Sequence, residues 1–584
     1  MIRLKKALAL TLVATMCLTA FTGCGNDSKG DPNTPNSNEQ NNNGTDSGEK
    51  TPDEKIPDEK QEFTFSSASA VLGLNPMINT TAPDNGAHEL ILETLVADVA
   101  DENGNSMIKA AAAESWDISE DGTVYTFKIR ENSVWNDGVP VTANDFVYTF
   151  KMMATPKTGS TNAWLFDGVI KNFNEALYSD GNPEDIGVKA IDEKTVEFTL
   201  VKPYSYFLDL LTGAKPVRQD KYEEWGDSYG SSFDKVVMNG PFVIESWSQN
   251  VQMTLVKNEK YWDADNVKLQ KINRKVIQDT ATSVQALLAG EIDVISTNDQ
   301  DWQKVIIEDG RFKQVTTPGN APEFFGFNCA NKYFKNPKIR LAFSLAIDRE
   351  KLNEDINNGK CTPLYSMMPP VTNVGDELYS ERVEGKNDII KILQAEYPDP
   401  KALLIEGLKE EGLDPDPSKM EVRYATRGTT EFSKKLAEWL LQTWEETLGV
   451  RITIDMMEWN IMWDKVDAGD YDICAAGWGP YYNDPNALLQ IYDPVDGYFN
   501  SSKSGWTGKD ADKYHELLVQ ASNETDNQKR AELFLQAEEL LVGTGVIVPT
   551  FVFNSNTFLA NYVEGYYITP HSATDYTNIY TSGK

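Results

Sequence analysis

Between residues 420 and 476 the chain alternates strand and helix at a spacing that a parallel sheet accommodates. Met420, Val422 and Tyr424 read as one strand, and Phe432, Leu436, Trp439, Leu440 and Leu448 fall on one side of a helix over 431–448. Gly449 stops that helix, and Val450, Ile452, Ile454 and Met456 then alternate along a second strand. Strand, helix, strand at this separation predicts a parallel pair joined by a right-handed crossover, followed by a further strand over 471–476. Sheets of this kind bind ligands beyond the carboxyl ends of their strands, where Trp459 and the Gly477-Trp478 turn fall.

The same alternation appears elsewhere. Residues 123–130 and 196–200 read as half-buried strands, and 281–289 as a helix ended by Gly290 ahead of a strand at 292–294. A later helix over 530–542 precedes the apolar run 546–548. A chain of 584 residues exceeds what one core supports, roughly 250–300 residues, so several lobes are expected.

The first residues are a different kind of segment. Arg3, Lys5 and Lys6 precede the apolar run Ala7 to Phe21, which is shorter than the ~20 apolar residues of a membrane span. Residues 1–23 therefore read as a secretion signal. Phe21-Thr22-Gly23-Cys24 resembles the lipobox of bacterial lipoproteins, although Phe21 stands where Leu is usual; it implies lipidation of Cys24, and two acyl chains anchor stably. The rest of 24–61 is polar, with a repeated Pro-Asp-Glu-Lys, and reads as a disordered tether. The expected location is the extracellular face of a bacterial cell membrane.

Composition removes several function classes. With 54 basic against 89 acidic residues the formal charge is -35, which repels nucleic acid and anionic lipid. Beyond Cys17 and Cys24 only Cys329, Cys361 and Cys474 remain, and an odd, widely spaced trio is no disulfide framework. The three histidines, His88, His515 and His571, are isolated, so neither a metal site nor a cofactor is expected. No Gly-x-Ser-x-Gly elbow or His-Glu-x-x-His occurs, and no catalytic residues are assigned; abundant carboxylates such as Asp470 and Asp472 carry no weight towards a secreted hydrolase.

Several stretches, taken in order, carry a family likeness: Leu74-Asn-Pro76, Ala113-Glu-Ser-Trp116, Glu120-Asp-Gly122, Tyr125 to Arg130, Trp135-Asn-Asp-Gly138 and Pro140 to Val147. They continue with Asn239-Gly-Pro-Phe242, Tyr261-Trp-Asp263, Leu287 to Val294, Phe327-Asn328, Pro337 to Arg349, Glu458-Trp459 and Gly477 to Pro485. Singly, most read as structure: Asn336 as an N-cap before Pro337, Asn144-Asp145 as a helix start. Together they resemble the solute-binding proteins of the peptide/nickel class of ABC importers, the oligopeptide-binding protein family or bacterial extracellular solute-binding family 5.

The resemblance implies an α/β, periplasmic-binding-protein-like fold of type II, in the large three-lobed class, with a hinge and an interlobe ligand cleft. Lobe I would combine 62–98, 238–330 and 545–584; lobe II, 99–237, would be inserted; lobe III would be 331–544. Ligand-binding residues would be Trp459, Gly477, Trp478, Gly479, Tyr481, Tyr482, Asn483 and Asp484. Peptide-binding relatives place an aspartate for the ligand's α-amino group where Tyr481 stands, and some place an arginine where Ala475 stands. A tyrosine hydroxyl carries no charge at neutral pH, so neither terminal ion pair is expected from those positions. Asp484 is a substitute for the missing charge or else, with Pro485, a turn initiator. The implied role is capture of oligopeptides by a monomer and delivery to the permease and ATPase subunits of an importer, with membrane contact through the lipid anchor alone. An oligosaccharide stacked on Trp459 and Trp478, with Asn460, Asn483 and Asp484 reading its hydroxyls, is the alternative ligand; a receptor for signalling peptides is the alternative role.

Overall fold

The structure, a computed structural model, describes residues 57–101, 105–570 and 574–584. The secretion signal, Cys24 and the tether to residue 56 lie outside the described residues, as does His571.

A seven-stranded sheet orders Phe312–Thr317, Ser555–Ala560, Val294–Ser296, Glu62–Ser67, Lys271–Val276, Gln252–Lys257 and Phe242–Ser248. A six-stranded sheet orders Cys361–Pro363, Ile547–Phe553, Pro322–Phe327, Ile473–Gly477, Glu421–Ala425 and Arg451–Asp455. The inserted segment carries a four-stranded antiparallel sheet of Ala113–Ile118, Val124–Ile129, Thr195–Thr199 and Val188–Asp192. The strands expected over 123–130 and 196–200 are two of these, with Phe127 and Phe198 fully buried on one face.

The expected crossover is present: Glu421–Ala425 pairs in parallel with Arg451–Asp455 and with Ile473–Gly477. Thr430 caps the intervening helix Glu431–Leu448, its hydroxyl accepting from Ser433 N–H at 3.1 Å, and Gly449 ends it at φ 79°. The buried indole on that helix is Trp444, which donates to Phe343 C=O at 2.9 Å. Trp439, expected on the core face, lies half-buried at the edge and donates to Asp355 instead. Asn336 accepts from Lys338 N–H at 2.9 Å as the predicted N-cap. At the helix Ala143–Met153 the cap is Thr142, one turn from Asp145, whose carboxylate accepts the Thr142 N–H.

Two connections pass between the large sheets. Phe312–Thr317 of the seven-stranded sheet leads through 318–321 into Pro322–Phe327 of the six-stranded sheet. Ile547–Phe553 returns through Asn554 into Ser555–Ala560. Thr317 lies opposite Ser555 and Pro322 opposite Val552, so the connections run side by side as antiparallel neighbours. Gly319 permits the approach: a Cβ there would overlap the Phe553 carbonyl. Strands 322–327 and 547–553, which fall in the stretches expected in lobe I, are strands of the six-stranded sheet.

Residues 57–61, placed in the tether by the sequence, are described in the structure and bonded to the last residues of the chain. The Asp58 carboxylate accepts the backbone N–H groups of Gly583 (2.7 Å) and Lys584 (3.1 Å), and Gln61 exchanges hydrogen bonds with Thr581. Backbone donors near the C-terminus hold this stretch to the body. Cys329, Cys361 and Cys474 are buried and unpaired.

Candidate ligand-binding site

Three parallel strands, Glu421–Ala425, Arg451–Asp455 and Ile473–Gly477, end together at one edge of the six-stranded sheet. Just beyond them stand Arg427, Trp459 and Trp478. Arg427 pairs with Glu323, Nη2 to Oε1 at 2.8 Å, across from Gly477 in the neighbouring antiparallel strand. Burial pushes the Glu323 carboxyl above its ordinary value, and Arg427 opposes that shift. The Arg427 guanidinium lies 5.6 Å from the centre of the Trp459 ring. A charged pair therefore borders Trp459.

Gly477 leaves room for this pair. A Cβ there would overlap Arg427 Nη1 and lie 2.7 Å from Glu323 Oε1. Gly477→Ala is expected to turn Arg427 away and strand the Glu323 carboxylate, at a cost of about 1–3 kcal/mol. A crystal structure of the variant and its urea unfolding curve check both consequences; an intact 2.8 Å contact contradicts the first.

From this pair a run of aromatic rings extends along the sheet edge. Trp459, first residue of the helix Trp459–Asp467, meets Trp463 at 5.4 Å; Trp463 meets Tyr498 at 5.3 Å; Tyr498 meets Trp478 at 5.5 Å. Trp478 donates its backbone N–H to Pro322 C=O at 3.2 Å, which ties the turn to a crossing strand. Its buried indole Nε1 has no partner among the described residues. Tyr481 continues the run, 6.5 Å from Trp478, and its ring meets Trp164 of the inserted segment at 4.7 Å.

The rest of the expected set is divided. Gly479 faces open space, and Asn460 is exposed beside Trp459. Tyr482 is buried and stacks on Tyr206 of the inserted segment, ring centres 3.9 Å apart and 11° from parallel, its hydroxyl accepting from Asn486 and Gln490. Asn483 accepts from Asn373 N–H, and its side-chain amide nitrogen has no partner among the described residues. Asp484 is not at the surface: it is 3% exposed and pairs with Arg530, 1% exposed, at 2.8 Å. Its other oxygen accepts Asn486 N–H at 2.9 Å, so Asp484 is the turn initiator and not a substitute ligand charge. Arg427 was missed although it follows its strand as Trp459 and Trp478 follow theirs. Trp164 gives no signal near it in the sequence.

Residues 107–500 match the family model for bacterial extracellular solute-binding proteins, family 5. The chain belongs to that family. The dipeptide-binding protein DppE of Bacillus subtilis is 32% identical over 455 residues, 76% of this chain and 78% of that protein. Among solved structures, the unliganded open form of the periplasmic murein tripeptide-binding protein MppA superposes with a TM-score of 0.79 at 25% identity, covering 91% of this chain and 99% of that one. Listeria monocytogenes OppA bound to peptide gives 0.60 at 26% identity, covering 90% and 100%. The family 5 fold is the type II periplasmic-binding-protein fold, and its mixed sheets are those described above. No described helix of this solute-binding protein is long and apolar enough to cross a membrane.

Proposed function

We propose that this chain captures peptides for an ABC importer, held by a lipid on Cys24 at the extracellular face of the cell membrane, and passes them to the permease and ATPase subunits. The two crossing connections act as the hinge, and the halves close on the ligand. The observation that carries the reading is the contrast between two comparisons at nearly the same identity, 25% and 26%. The chain resembles an unliganded open form at 0.79 and a peptide-bound form at 0.60, which supports an open arrangement of the lobes. Arg427 supplies a fixed, planar donor for the carboxylate of a peptide, while the aromatic run covers side chains of varied sequence. The same rings favour oligosaccharide as a second ligand class.

Thermal unfolding against peptide and oligosaccharide libraries tests this, because a ligand at 100 times its Kd stabilises by about 2.7 kcal/mol. Peptides are expected to raise Tm and to reduce the radius of gyration in X-ray scattering. Arg427→Leu is expected to weaken peptides with a free C-terminal carboxylate about thirtyfold and to spare their C-terminal amides. Stabilisation by glycans alone, or scattering unchanged by a bound peptide, refutes the proposal.

A further inference from the structure

The two crossing strands, Ile547–Phe553 and Pro322–Phe327, are second and third in the six-stranded sheet. Trp478, Arg427 and Trp459 follow the ends of its fourth, fifth and sixth strands, whereas Lys360 leads into its first, Cys361–Pro363. All four residues stand at one edge, because Cys361 lies opposite Phe553, Pro322 opposite Val552 and Glu323 opposite Gly477. Lys360 and the aromatic run therefore flank the crossing on opposite sides.

From that far side Lys360 reaches the other half of the molecule. Its ammonium donates to Gln303 Oε1, on the helix Gln300–Asp309 that leads into Phe312–Thr317 of the seven-stranded sheet. Gln303 is 2% exposed, and its Nε2 donates to Thr297 C=O at 2.8 Å, which fixes the amide with its oxygen left for Lys360. The other end is held as firmly. Asn358 and Gly359, at φ 52° and 72°, turn the chain out of the helix Arg349–Asn357, and Asn353 clasps both the N–H (3.0 Å) and the C=O (2.8 Å) of Cys361. Each anchor is made within its own half, so neither needs the bond that joins them. That bond is charge-assisted and half-buried, the strong kind of hydrogen bond.

We propose that the Lys360–Gln303 bond is a stay that holds the two halves apart and that closure breaks. This rests on the hinge reading above and adds to it a brake on the side away from the ligand. A turn about the crossing that carries the aromatic run towards the seven-stranded half carries Lys360 away from Gln303, as the two arms of a beam move oppositely about its pivot. The open form keeps the bond, and the shut form exchanges it for water. Its strength therefore holds back part of the apparent affinity, because a ligand that needs the shut form binds in proportion to how much of that form is present. Lys360 tunes affinity without touching the ligand.

The test places nitroxide labels on the full chain through Gln285→Cys and Asp464→Cys, exposed positions on helices of the two halves, and reads the distance between them by pulsed electron resonance. Lys360→Met keeps the apolar stem and removes the ammonium. Without any ligand it is expected to raise the shut population about tenfold, and alanine peptides of two to six residues are expected to bind about tenfold more tightly. In a Gln303→Leu background the same substitution is expected to change nothing further, since the bond is already gone. A distance distribution that peptides shift in the unmodified protein but that Lys360→Met leaves alone overturns the inference and leaves closure standing. So does an effect of Lys360→Met that persists undiminished in the Gln303→Leu background. A distribution that neither peptides nor the substitution moves removes the hinge reading and this inference with it.

Discussion

Replacing Arg530 by Met is expected to lower the free energy of unfolding by about 3–5 kcal/mol, because it leaves a buried carboxylate without its partner. Arg530 and Asp484 are 1% and 3% exposed, and their 2.8 Å contact joins the helix Asn527–Leu541 to the turn after Trp478. Arg530 Nε also donates to Ala521 C=O at 3.2 Å, a bond the variant loses. With the guanidinium gone, Asp484 faces Asp209 across the same buried region. A second substitution, Asp484→Asn, made together with Arg530→Met, removes the stranded charge and is expected to restore most of the loss. Urea unfolding of the two single variants and the double variant measures this as a coupling energy. Additive effects would show that the pair does not act as a unit. Because the turn also carries Tyr481, the Arg530 variant is expected to bind ligand more weakly than its stability alone explains.

Between pH 4.5 and pH 7 two buried glutamates are expected to withdraw stability as pH rises. Burial raises Glu93 and Glu538 from 4.5 to about 7, against hydrogen bonds that favour their ionised forms. Tyr261 and Trp262 donate to Glu93; Met367 N–H, Met368 N–H and Tyr379 donate to Glu538. Below the unfolded value both states hold the proton and the contribution is at its most favourable. As pH rises past 4.5 the unfolded chain ionises while the folded one does not, so unfolding becomes easier; above about 7 the loss is complete. Each group accounts for a decrease on the order of 3 kcal/mol. Other carboxylates titrate in the same window, so the difference between Glu538→Gln and the unmodified protein isolates the effect. That difference is expected to move by the stated amount in favour of the variant, and parallel stability curves would refute it.

What sequence could reveal follows from the range of the interactions. The crossover between 420 and 456 was legible because its period and its stop at Gly449 are both local. Trp439 was placed on the core face because the Asp355 carboxylate that draws it outward is remote in sequence and leaves no mark on the local period. The strand Ile547–Phe553 is buried at every position but its last, so no alternation announced which sheet it joins; the choice is made by Pro322–Phe327. At the site, Trp459 and Trp478 could be read from strand ends. Nothing near Asp484 foretells a partner at 530, and nothing near 164 foretells an encounter with Tyr481.

On the hinge reading proposed above, the paired crossing between the large sheets sets how capture would proceed. Adjacent antiparallel segments twist together, so a rotation there would be taken up as backbone torsion over residues 318–321 and Asn554, with the ladders on either side left whole. Closure then exposes no core and breaks no sheet. The ligand's preference for the shut arrangement goes into changing populations, where about 5.5 kcal/mol separates a molecule open 99 parts in 100 from one shut to the same degree. A guest gripped by one half alone, however firmly, leaves the other half swinging.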